Sequence, residues 1–210
     1  IARHGRYRGE HTAVVFGGER ISYAAFDAET NRLANALAAL GLAKGDKIAT
    51  VLPNCLELMV AYWAAAKTGV VIVPLSPLLQ DTGLATLLAD SDTALVIGDA
   101  PFADTFDRIR GDLPGIAPGR AILVGEGPAK PGYRAYGEFV AGAFVGEPAD
   151  AGLGDDDMYN IMYSSGTTGL PKGIVHTHYV RAMYCMLFAQ CWRMTPESIV
   201  LHAGAIVFNG

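Results

Sequence analysis

Apolar and polar positions along the chain change period repeatedly, and each change marks an element. Residues 12–16 alternate as a strand, Gly17-Gly18 is a two-residue hairpin signal, and residues 19–23 return as the partner strand. Phe26, Leu33, Leu37 and Leu40 then recur at helical spacing, with Ser22 placed to cap that helix and Gly41 to end it. Residues 47–52 read as a strand stopped by Pro53. Asn54 is the expected cap of a helix to about residue 67, with Leu56, Met59, Tyr62, Trp63 and Ala66 on one side. Residues 70–73 are continuously apolar, as in a strand buried on both faces, and Pro74 and Pro77 are expected to break the segment beyond it. The cycle repeats with a helix from Asp81 through Leu84, Leu87 and Leu88, a strand over 94–98, a helix around 102–110 and an apolar strand over 121–124. Strand, helix, strand in this order predicts an α/β fold with right-handed crossovers: a mostly parallel sheet with helices on both faces.

The second part of the chain changes character. Residues 134–144 read as a helix and 146–157 as a polar connector, so residues 1–157 are expected to form a first α/β subdomain. Residues 158–210 then hold a loop-bearing segment and the start of a next subdomain. Residues 158–162 and 173–177 read as two short strands, and residues 178–194 as a helix apolar on several faces, hence buried on most sides. Between the two strands lies Ser164-Ser165-Gly166-Thr167-Thr168-Gly169-Leu170-Pro171-Lys172-Gly173. Glycine tolerates positive φ and leaves no Cβ in a ligand's way, so consecutive amides can converge on one anion. Ser164, Ser165, Thr167 and Thr168 add hydroxyl donors, Lys172 adds a point charge, and Pro171 stiffens the exit. The stretch is a candidate phosphate cradle. It is not the Walker A loop, because Pro171 and Gly173 stand where that pattern needs glycine-lysine-hydroxyl, and the context is strand-loop-strand.

Composition narrows the alternatives. With 210 residues, 51% of them hydrophobic and 18% charged, the chain can bury a sizeable core in one or two domains. A net charge of −5 argues against nucleic acid as a partner, and Arg3, Arg6 and Arg8 read as a solvated basic end. Cys55, Cys185 and Cys191 are odd in number, fit no metal or redox spacing, and are expected as buried small hydrophobes in a reducing, cytoplasmic setting. No apolar run reaches the roughly 18 residues of a membrane span. Asp155-Asp156-Asp157 reads as a solvated linker, since three consecutive carboxylates cannot converge on one ion. His176 and His178 lack further ligands at metal-binding spacing and are expected to cap or pack. A start at Ile1 and a stop at Phe208-Asn209-Gly210, just after an apolar run, lead to the expectation of a piece of a longer chain.

Residues 163–175 resemble the phosphate-binding signature of the adenylate-forming (AMP-binding) superfamily, which includes acyl-CoA synthetases, aryl-CoA ligases, luciferases and peptide-synthetase adenylation domains. Residues 21–26, 31–34, 45–49 and 65–75 resemble earlier blocks of that family in the same order. The resemblance implies an ATP-dependent acid-CoA ligase. In such an enzyme a fatty or aryl carboxylate becomes an acyl-adenylate and is then passed to CoA, with Mg2+ accompanying the nucleotide. It also implies ATP-phosphate contacts for Ser164, Ser165, Gly166, Thr167, Thr168, Gly169, Lys172 and Gly173, with Lys172 catalytic. The family's adenine, ribose, metal and C-terminal lysine blocks have no counterpart here, so the chain alone is expected to be inactive. Phe208-Asn209 stands where the family often has an aromatic-His pair, with Asn209 in place of the histidine. Three other readings remain open on the sequence: a domain that loads an amino or aryl acid onto a carrier protein, a non-catalytic nucleotide-binding module, and a purely structural domain.

Overall fold

A computed structural model describes residues 1–125, 128, 130–164 and 171–207. Its first elements are α1 (Ala2–Tyr7) and the hairpin β1 (Thr12–Phe16) and β2 (Glu19–Ser22), paired antiparallel through Phe16 and Glu19. Gly17 and Gly18 take φ of 59° and 87°, the backbone that a two-residue turn between twisted strands demands. The Ser22 hydroxyl accepts from the Ala25 amide at 3.2 Å and so caps α2 (Tyr23–Ala39), as its sequence position predicts. The basic start is not a free tail. His4 stacks on Tyr23 with ring centroids 4.9 Å apart, and Arg8 reaches the carbonyl of Pro196 at 3.2 Å.

The central sheet has seven strands in the order β7-β6-β5-β3-β4-β8-β9. These are β3 (Lys47–Val51), β4 (Val71–Leu75), β5 (Thr93–Gly98), β6 (Ala121–Leu123), β7 (Arg134–Ala135), β8 (Met158–Ser164) and β9 (Lys172–Thr177). All neighbours are parallel except β8 and β9. Alternate side chains feed two cores. Ile48, Ile72, Leu95, Ile97 and Ile122 pack under α2, α3 (Leu56–Thr68) and α6 (Tyr136–Ala141). Ala49, Val51, Val71, Val73 and Val96 pack under α4 (Asp81–Asp90) and α5 (Ala100–Ile109). The fold is therefore an α/β sheet covered on both faces, as the strand-helix rhythm implies.

Local expectations fail where tertiary context overrides pattern. Pro74 does not break a strand but lies inside β4 opposite Thr50. In the register of β4 with β8, Ile72 stands opposite Asn160, two residues before Pro74. The stretch read as one helix over 134–144 divides into β7 and the short α6. Helix α3 is apolar nearly all round, so its period does not select a face. Leu58, Val60, Ala61, Tyr62, Ala64 and Ala65 are buried, while Trp63 stays exposed.

The helix after β9, α7 (His178–Cys191), has no buried residue, contrary to the expectation of burial on most sides. Leu187 is 52% exposed and Trp192 64%. Tyr184, Phe188 and Trp192 instead stack on one another, with centroids 5.8 and 4.8 Å apart. For the same reason Cys185 and Cys191 are exposed rather than buried, and Cys55 is intermediate; all three are free thiols.

Candidate functional site: the neck of the β8-β9 hairpin

The site is built from a hairpin whose strands leave the sheet's carboxyl edge and return. β8 runs parallel to β4 and β9 antiparallel to β8, with Asn160 opposite His176, Ile161 opposite Val175, Tyr163 opposite Gly173 and Ser164 opposite Lys172. The strand-loop-strand arrangement read from the sequence is therefore present, and β9 begins one residue earlier than its apolar run. Of the residues singled out for phosphate contact, Ser164, Lys172 and Gly173 are described, and cross-strand pairing brings the first two to the same rung. Ser165, Gly166, Thr167, Thr168 and Gly169 lie outside the described residues, as does Leu170. The Phe208-Asn209 position lies outside them too. Lys172 is exposed.

Gly173 is there for a steric reason. A Cβ at that position would stand 2.9 Å from Ile161 Cγ2 and 3.3 Å from the Tyr163 ring, so the ring closes directly over the backbone of the opposite strand. The Tyr163 hydroxyl donates to Asp90 Oδ2 at the end of α4. Burial, and then this contact with Asp90, push the Tyr163 phenol well above its usual range.

Beneath the neck the hairpin is held by a buried polar pair. Asn160 and His176 are 0% and 5% exposed, and Asn160 Nδ2 lies 3.2 Å from His176 Nδ1. Asn160 Oδ1 and His178 Nε2 have no partner among the described residues. Burial lowers the pKa of both histidines; Arg181 adds to the effect at His176, while Asp157 partly offsets it at His178. His178 packs edge-on against Tyr159, centroids 5.4 Å apart, in the packing role expected of it. Thr177 caps α7 through a bond from the Val180 amide at 3.3 Å, and the carbonyls of Asp157 and Asp155 take the amides of His178 and Tyr179. The acidic triplet thus anchors the start of α7. Its Asp157 carboxylate accepts from the Gly154 amide at 2.7 Å and from Lys44 Nζ at 3.1 Å, contacts that lower its pKa, the first more than the second.

Among the described residues no group of three or more His, Cys, Asp or Glu side chains could hold a metal. Magnesium fits here only as a companion of a polyphosphate, which commonly supplies part of its coordination, and no protein cage for it is formed by these residues.

Two residues make long-range contacts that the sequence reading did not give them. Asn54 does not cap α3, where Cys55 is the boundary residue without a side-chain bond. Its amide instead clamps the distant segment before Val207, donating to Gly204 O at 2.7 Å and accepting from the Ile206 amide at 2.9 Å. Lys67 joins Asp27, Asn31 and Glu147 at 2.7, 2.6 and 2.7 Å, tying α2, α3 and the connector together. Neither pairing has a local signal, because the partners are at least 36 positions apart. A cleft of about 340 Å3, lined by Val51, Pro53, Leu79, Gln80, Asp99 and Phe102 among others, opens beyond the carboxyl ends of β3 and β5. The strand order reverses between these two strands, the place where open α/β sheets usually take ligands.

This mostly parallel, doubly covered sheet is shared with adenylate-forming enzymes of known structure. The chain belongs to the AMP-binding enzyme family, whose model matches residues 1–209. It is 40% identical over 161 residues to the long-chain-fatty-acid-CoA ligase FadD13 of Mycobacterium tuberculosis, which covers 76% of this chain and 30% of that protein. It is 33% identical over 170 residues to a 3-hydroxybenzoate-CoA/4-hydroxybenzoate-CoA ligase of Thauera aromatica, covering 81% of this chain and 32% of the other. Among solved structures, apo MatB from Rhodopseudomonas palustris superimposes with a TM-score of 0.82 at 29% identity, over 94% of this chain and 38% of that one. The anthranilate CoA ligase AuaEII bound to anthranoyl-AMP gives 0.80 at 28% identity, over 90% and 35%. The chain thus spans about a third of the length of the curated relatives it matches.

Proposed function

We propose that this chain supplies the polyphosphate-gripping part of an ATP-dependent acid-CoA ligase whose substrate is a fatty or aryl carboxylic acid. The observation that carries the reading is the hairpin register, which sets Ser164 directly across from Lys172 at the neck of the serine, threonine and glycine run. In this reading residues 1–157 are the scaffold and residues 158–210 the segment that grips the nucleotide. Ser164, Ser165, Gly166, Thr167, Thr168, Gly169, Lys172 and Gly173 hold the β- and γ-phosphates. A carboxylate oxygen of the acid attacks the α-phosphorus, the bond from that phosphorus to the bridging oxygen breaks, and pyrophosphate leaves with the electron pair. A thiol of CoA then attacks the acyl carbonyl, loses its proton, and displaces AMP. In this reading Lys172 and the hydroxyls donate where negative charge grows on the leaving pyrophosphate, the kind of arrangement from which electrostatic catalysis gains most. The relatives' CoA-ligase activities support CoA as acceptor, and their acids support a fatty or aryl substrate. A reducing cytoplasm suits the three free thiols.

The direct test is calorimetric titration of the chain with magnesium-ATP and with magnesium pyrophosphate, followed by the same titrations on Lys172→Ala. Binding of both ligands is expected, with a loss of about tenfold or more in the variant, as for removal of a charged hydrogen-bond donor. A chain that takes up neither ligand, or a variant that binds as the native chain does, refutes the assignment.

A further inference from the structure

Two residues outside the phosphate-gripping set converge on its neck. Tyr163 is half-buried, its ring lies over Gly173, and its hydroxyl donates to Asp90. A phenylalanine would cover Gly173 equally well, so the hydroxyl adds direction rather than packing. Asp90 is the last residue of α4, at the negative end of the helix dipole, and the last turn holds no basic side chain to offset it. A carboxylate gains nothing from the helix dipole there, so the bond it accepts from the Tyr163 hydroxyl is the contact that gives it a role.

The platform beneath it is stiff. Ser91 is buried, donates to Leu87 O at 2.7 Å and meets Thr93 Oγ1 at 2.8 Å, so the turn from α4 into β5 is fixed by its own hydroxyls. Asp92 holds φ of 49° there and pairs with Lys47 at 3.9 Å.

We propose that Asp90 and Tyr163 form a positioning latch, which fixes the β8 end of the hairpin on the α4-β5 turn and thereby sets the distance and angle between Ser164 and Lys172 for a polyphosphate. The latch rests on the reading of the neck as a polyphosphate grip and deepens it. Tyr163 stands immediately before Ser164, and Gly173, under its ring, stands immediately after Lys172. One ring therefore governs both sides of the neck. A small misplacement of groups that converge on a charged ligand is enough to cost about tenfold or more in binding or rate.

Magnesium pyrophosphate is titrated into the native chain, Tyr163→Phe, Asp90→Ala, Asp90→Asn and the Tyr163→Phe/Asp90→Ala double variant, with thermal midpoints recorded for each. Tyr163→Phe and Asp90→Ala are each expected to weaken binding by about tenfold, and the double variant by no more than either single. Asp90→Asn keeps an acceptor for the hydroxyl and is expected to bind within about twofold of the native chain. Thermal midpoints stay together, since Asp90 is exposed and its removal leaves no buried group unpaired. Because it does not threaten the fold, Asp90→Ala carries the test if Tyr163→Phe misfolds. Native affinity in the single variants, additive losses in the double, or no rescue by asparagine overturns the latch and leaves the grip standing. A native chain that does not bind pyrophosphate overturns both.

Discussion

At the scale of single residues, the hairpin combines an exposed lysine at its neck with the buried Asn160-His176 pair and the half-buried His178 beneath it. Lys172 is exposed, whereas His176 and His178 have their pKa values lowered by burial. The unfolded chain takes up protons at these two positions as pH falls through about 6.5, while the folded chain resists. Stability is therefore full above that pH and declines below it, until the folded histidines also protonate. Urea unfolding at pH 7.5 and at pH 5.5 is expected to show a lower midpoint in acid, and His176→Gln, which preserves a partner for Asn160, is expected to flatten the slope. An acid midpoint equal to the neutral one contradicts this account. His176 lies within β9 opposite Asn160 and His178 opens α7, as the strand over 173–177 and the helix from 178 read from the sequence imply; the pairing of His176 with Asn160 is what only the fold supplies.

At the scale of elements, the best-read pieces are those whose boundary chemistry is local. Ser22 before α2, Gly17-Gly18 between β1 and β2, and the apolar core of β4 each carry their own signal within a few positions. Asn54 is the instructive failure. Its position before an apolar helical run matches an N-cap, yet both its amide groups are spent on residues 204–206, about 150 positions away. The clamp orders the segment that delivers Val207, 4% exposed, to the first core, and Tyr62 adds a bond to Ile206 O at 3.2 Å. Asn54→Ala is expected to lower unfolding free energy by about 1–2 kcal/mol. It should also speed amide exchange at Ile206, with little change at the β8-β9 neck. Unchanged protection at Ile206 would show that the clamp does not hold this segment.

At the scale of the whole molecule, one side is finished and the other is not. The β5-β3-β4 centre is covered on both faces, while β9 and α7 expose Val175, Tyr179, Met186, Leu187 and Trp192 together. Several large apolar side chains exposed on one strand and the helix that follows it make this the side on which apolar binding is expected. The chain is accordingly expected to bind an apolar fluorescent dye under native conditions, with the signal cut to less than about half by Leu187→Lys together with Met186→Lys. Dye fluorescence unaffected by those changes would place the apolar surface elsewhere. Sequence by itself determined the alternation of strands and helices from β1 to β6, the two-sided burial of the central strands and the chemical character of residues 164–173, because periodicity, caps and turn residues act over a few neighbouring positions. The tertiary structure alone decided that Pro74 sits in a strand, that Asn54 clamps a remote segment, that the aromatic helix α7 stays exposed, and that Tyr163 covers Gly173 and reaches Asp90. Each of these depends on which surfaces meet after the chain folds back, information that a local pattern does not contain.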